Sequence, residues 1–176
     1  MLQLANLDER TRQFMREELE HDSTRGQIYI SPRLNSRGQA DWLGLLREGF
    51  LSGSDTTLAA QLRLAGRLRR RETRHSKRGK LVSAAVPETA AETLAEGEFN
   101  RYYIRGLCRR AIDEGLSNLV IYRAKTVESP RPESQVRPGK SFDPQRLLTD
   151  LRANIGVDPA LGVPAGPNSG LSVRLP

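Results

Sequence analysis

Within residues 65–80 the sequence gathers Arg67, Arg69, Arg70, Arg71, Arg74, Lys77, Arg78 and Lys80 around a single acid, Glu72. Eight cations against one carboxylate leave +7, which equals the formal net charge of the whole 176-residue chain. The remaining 160 residues therefore sum to zero. A cationic excess confined to one short segment is a local electrostatic feature, and the chemistry it offers is the grip of polyanions. Arginine supplies 24 of the 28 basic residues. Its planar fork binds phosphate and carboxylate through paired hydrogen bonds. The same arginine excess also follows from codon usage in a GC-rich genome, and composition alone leaves both readings open.

Other reactive groupings lead nowhere comparable. The sequence has no GxxxxGK[ST] loop, no GxGxxG turn, no HExxH and no GxSxG. The two histidines, His21 and His75, sit in no ligand-like cluster, and the single Cys108 excludes an internal disulfide and a multi-cysteine zinc site. Cys108 falls among apolar positions and reads as a small core residue. Glu96-Gly97-Glu98 has the spacing of a carboxylate pair, and with Tyr122-Arg123 it faintly resembles an ADP-ribosyltransferase. The order of those parts is reversed here, so the pair reads as a solvated helix turn. Arg101, Arg105 and Arg109 recur every four residues. They read as a solvated face paired with Glu98 and Asp113, in competition with a second phosphate-facing stripe. Aromatic residues are 5% of the chain, and only Tyr102 looks free to stack on a base. No catalytic residue, metal site or cofactor is expected.

The elements that must position the basic segment follow from hydrophobic spacing. Residues 7–22 form a first helix, capped by Asn6, with a thin apolar stripe of Leu7, Phe14, Met15 and Leu19. Residues 27–30 are expected to be a short strand. A second helix covers about 40–50, with Trp42, Leu43, Leu45, Leu46 and Phe50 on a broad apolar face. After the turn at Gly53, a third helix starts near residue 55, with Leu58, Leu62 and Ala65 inward. Continued to Arg74, it would align Arg63, Arg67, Arg70 and Arg74 on one stripe, at spacings of four, three and four. The pair then has the order of a helix-turn-helix, and equally that of any helical hairpin. A longer central helix over about 88–114 ends at Gly115, and Thr89 with Glu92 has the spacing of a capping box. Residues 118–123 are the strongest strand. A short helix opens at Asp143-Pro144.

The expected fold is α+β and predominantly helical, with about five helices around the long central one and short strands near 27–30 and 118–123. Residues 1–156 are expected to form one globular domain. Residues 157–176 form a Pro/Gly-rich tail that is either disordered or wraps the core through Leu161, Leu171, Val173 and Leu175. With 37% hydrophobic residues, a mean hydropathy of −0.55 and no long apolar run, a cytoplasmic protein without membrane contact is expected. The functional expectation is a non-enzymatic nucleic-acid-binding protein. It would use Arg63, Arg67, Arg69, Arg70, Arg71, Arg74, Lys77, Arg78 and Lys80 mainly on phosphates, with weak sequence preference. The alternative is a structural, assembly or adaptor protein that docks the same residues on an acidic protein surface.

Overall fold

The computed structural model describes residues 1–64, 66–76, 79–128, 130, 132–157, 159–164 and 169–176. The axis of the molecule is a 24-residue helix, α4 (Ala90–Asp113). It is buried along most of its length, charged residues such as Arg101 and Arg105 included, because five other elements pack on it. These are α1 (Glu9–Thr24), α2 (Ser36–Ser52), α3 (Asp55–Leu64), α6 (Pro144–Ala153) and strand β5 (Leu171–Arg174). Phe50 of α2 meets Phe99 and Tyr102 of α4 at centroid distances of 5.5 and 5.0 Å. Gly106 of α4 lets α1 approach closely, since a Cβ there would lie 2.9 Å from Met15 Cγ and 3.1 Å from Thr11 O.

Two antiparallel sheets complete the fold. In the first, β1 (Arg71–His75) pairs with β2 (Leu81–Ala85), with Thr73 opposite Ser83. In the second, β3 (Leu119–Arg123) lies between β4 (Ser141–Phe142) and β5. The one-turn α5 (Pro132–Gln135) lies in the proline-rich excursion between β3 and β4. The C-terminal segment thus returns to the core: Leu171, Ser172 and Val173 are buried, and Val163 is buried upstream of them. Among the described residues, no helix is long and apolar enough to cross a membrane.

Several expectations are corrected. Residues 27–30 join no strand; the Tyr29 carbonyl accepts from the Trp42 indole at 2.9 Å instead of from a ladder partner. The cap of α1 is Asp8, which accepts from Thr11 N at 3.0 Å, while Asn6 accepts from Leu175 N. Thr89 precedes α4 without capping it through its side chain. Most importantly, α3 does not continue to Arg74. Gly66 adopts φ +57, and Arg67 N turns back to Leu62 O at 3.1 Å, which closes the helix in the left-handed manner that glycine permits. Arg63 alone of the expected stripe is helical; Arg67 and Arg70 follow the helix in the connection, and Arg74 lies on β1.

Candidate nucleic-acid interface

The basic segment forms an arm. Its two strands alternate side chains between faces, placing Arg71, Thr73 and His75 on one and Glu72 and Arg74 on the other. Eight of its ten strand residues are exposed, and only Glu72 and Ala84 are partly covered. The root of the arm is tied to the body at the 31–35 loop. Leu34 bridges Leu68, Arg69 N donates to Arg33 O at 2.8 Å, and the Arg33 guanidinium holds Glu72 at 2.6 and 3.2 Å. Those hydrogen bonds hold the Glu72 carboxyl below its ordinary range. The turn at the far end uses Gly79 at φ +76.

The expected site residues divide into three groups. Arg63 pairs with Glu92, and Arg67 pairs with Asp41 at 2.8 Å while donating to Gln61 O at 2.6 Å, so both are held by the body. Arg69 donates to Leu34 O at 3.1 Å and Arg71 lies across its own hairpin on Ser83, yet both side chains remain exposed. Arg70, Arg74 and Lys80 are exposed and make no side-chain hydrogen bond or ion pair with a described residue. Lys77 and Arg78 lie outside the described residues.

At the root of the arm is a cleft of about 380 Å³, lined by Tyr29, Ser31, Arg33, Glu72, Glu98 and Arg101 among others. The sequence reading missed its assembly, because those residues come from three separate stretches of chain. Glu98 is not on a solvated turn: it is 6% exposed, and Glu96 beside it is 7% exposed. Glu96 is matched by Lys125 Nζ at 2.5 Å. Glu98 has no hydrogen-bond partner among the described residues, and its nearest cation is Arg101 Nε at 3.9 Å. Burial pushes its carboxyl up to about 7, against the pull of Arg101 and Arg105.

The rest of that stretch of α4 is structural. Asn100 bonds Leu171 O and Ser172 Oγ and so fixes β5. Arg101 donates to the carbonyls of Leu151, Asn154 and Val157, satisfying the C-terminal end of α6. Tyr102, expected to be free for stacking, is buried with its hydroxyl on Asp22 at 2.8 Å. Arg105 is wholly buried between Glu18 and Asp22, with contacts of 2.6–2.9 Å. Glu18 also accepts from Arg109 and Arg152. Burial works to raise the carboxyls of Glu18 and Asp22, but the hydrogen bonds from arginine prevail and both lie below their ordinary range. The expected solvated face of Arg101, Arg105 and Arg109 is thus largely a buried ionic network, because α1 packs over it. Cys108 is buried, and burial pushes its thiol up, away from reactivity. Among the described residues, no cluster of three or more His, Cys, Asp or Glu could hold a metal. Comparison with family models, with curated proteins and with solved structures found no match to this chain.

Proposed function

We propose that the protein binds nucleic acid through the β1–β2 arm, mainly by phosphate contacts and with weak sequence preference. The observation that carries this reading is that Arg70, Arg74 and Lys80 stand exposed on the arm with no side-chain hydrogen bond or ion pair to a described residue. Elsewhere the chain meets many of its arginines with carboxylates or carbonyls; on the arm it provides one acid, and Arg33 occupies that one. A two-stranded ribbon fits the major groove of duplex DNA, and its cations release counterions from the phosphates they neutralise. The two features that would favour a docking adaptor, a thin stripe on the first helix and a loose C-terminal excursion, are instead accounted for inside the fold. Met15 and Leu19 are fully buried on α1, and the C-terminal segment supplies β5.

The test is fluorescence anisotropy with a random duplex and with single strands across a salt series. The variant Arg70→Gln/Arg74→Gln/Lys80→Gln removes cations that make no side-chain hydrogen bond or ion pair with a described residue, Arg74 acting on Glu72 only through its charge. On duplex DNA the slope of log K against log salt is expected to fall in magnitude by about 2.7, at about 0.9 for each phosphate no longer neutralised. Absence of binding at low salt, or an unchanged slope in the variant, overturns the reading.

A further inference from the structure

We propose that the cleft at the root of the arm receives one unstacked guanine base from the bound strand, whose N1–H and N2–H donate to the two oxygens of Glu98. The inference rests on the nucleic-acid reading above and adds to it a base-recognition site. Its first support is the state of Glu98. Glu98 is 6% exposed and accepts no hydrogen bond from a described residue although two arginines lie close by, and its oxygens are not sealed inside the protein as Glu92 Oε2 is. Arg101 directs its terminal nitrogens to three carbonyls, and Arg105 directs its own to Glu18 and Asp22. The acceptor capacity of Glu98 is therefore left facing a cleft of about 380 Å³, within the usual size range of small-ligand sites.

The second support is the chemical match. A carboxylate offers two acceptors and no donor. Guanine is the one common base whose pairing edge places two N–H donors side by side. Cytosine and adenine set a ring-nitrogen acceptor beside their amino group, and thymine and uracil flank one donor with two carbonyls. An arginine side chain presents a similar fork of donors, but the charged lining of the cleft is balanced, with Arg33 and Arg101 against Glu72 and Glu98, so it is the adjoining exposed cations of the arm that disfavour a cationic ligand and suit a base that carries phosphate. The third support is Tyr29, an aromatic wall of the cleft of the kind on which unstacked bases lie. Gly156, which also lines the cleft, packs closely on that ring, since a Cβ there would sit 2.3 Å from it. Because extruding a paired base costs a few kcal/mol, single strands are the preferred ligand.

The experiment measures, at about pH 8 where Glu98 is ionised, the anisotropy of oligothymidine strands carrying one central guanine, inosine, adenine or cytosine. The guanine strand is expected to bind about tenfold more tightly than the others. Inosine, which lacks the N2 amino group, is expected to lose most of that preference without any change to the protein. Glu98→Gln is expected to abolish the preference and to leave the salt slope on plain oligothymidine unaltered. Equal, salt-sensitive binding of all strands overturns the guanine site while leaving the arm reading intact, and so does a preference that survives Glu98→Gln. If no strand binds, the arm reading fails, and saturation-transfer NMR with guanosine and cytidine monophosphates decides the cleft separately. Guanosine-selective transfer that is lost in Glu98→Gln supports the site. Equal transfer, or a response to argininamide alone, overturns it.

Discussion

Replacing Glu98 by glutamine should make the protein more stable at alkaline pH than the native chain, by an amount that vanishes in acid. The ordinary carboxyl value is 4.5, and in the folded protein burial raises Glu98 to about 7. Between those values the folded state holds a proton that the unfolded state has released, so stability declines as pH rises. Below about 4.5 both states are protonated and the cost is absent; above about 7 it is fully present. At about 1.4 kcal/mol per pH unit, the interval corresponds to a penalty of about 3 kcal/mol. The groups acting on Glu98 are Arg101 and Arg105, which oppose the rise, and Asp22, which reinforces it. Glu18 and Asp22 titrate with the opposite sign, since their lowered values stabilise the fold above the ordinary carboxylate range and that support is lost in acid. Subtracting the variant's urea-unfolding free energy from the native protein's, measured by circular dichroism from about pH 4 to about pH 8, removes their contribution. The difference should be near zero at the acid end and reach about 3 kcal/mol in favour of glutamine at the other. A difference that does not change with pH, or that grows toward acid, would show that Glu98 is not a buried, unmatched carboxylate.

Two substitutions probe the packing around α4. Arg105→Met leaves Glu18 and Asp22 buried with a cation removed, so a loss of about 3–5 kcal/mol is expected, with Tm lower by roughly 10 °C or more. A loss below about 1 kcal/mol would contradict the buried pairing. Gly106→Ala places a methyl group against Met15 and the α1 backbone, and thermal unfolding should show a net loss of about 1–2 kcal/mol despite alanine's better helix propensity. A raised Tm would mean that the two helices are not in close contact.

What could be read from the sequence was local. The central helix, β3 and the Asp143-capped helix all carry their signals within a few residues, as apolar spacing, β-branched runs or a capping side chain. What could not be read was pairing at a distance. The arginine spacing of four, three and four satisfied a helical stripe, while the real partner of Arg71–His75 was Leu81–Ala85, reached across a turn. Gly66, which a helix continued to Arg74 would have to contain, is where that helix ends. Arginine itself was uninformative by type. Arg105 lies in a buried ion network, Arg101 satisfies a helix terminus, Arg67 ties two elements together and Arg70 is exposed on the arm. Only the burial of each side chain separates these roles, and burial depends on the packing of α1 and α6 over α4. The cleft was hidden for the same reason, since Tyr29, Glu72 and Glu98 share no local pattern.

The position of Glu98 beside two arginines yet without a hydrogen bond from either follows from helix geometry. Three residues separate Glu98 from Arg101, a spacing that brings side chains onto one face. Arg101, however, reaches toward the end of α6, where one terminal nitrogen bonds the carbonyls of Leu151 and Asn154, and the other bonds Val157 O in the chain that follows. Arg105 lies one helical turn further on, where α1 presents Glu18 and Asp22 to it. Each guanidinium therefore satisfies groups that packing has already buried, and the remaining carboxylate is the one that opens on a cleft. The same division holds for the cations: Arg101 and Arg105 inside the body are hydrogen-bonded, and Arg70, Arg74 and Lys80 on the arm make no side-chain hydrogen bond or ion pair among the described residues. The unmatched charges of both signs thus lie toward one end of the molecule, Glu98 in the cleft at the arm's root and the three cations on the arm itself. A ligand that carries phosphates outside and hydrogen-bond donors on a planar base can satisfy both sets at once, which neither a simple polyanion nor a cationic peptide can do.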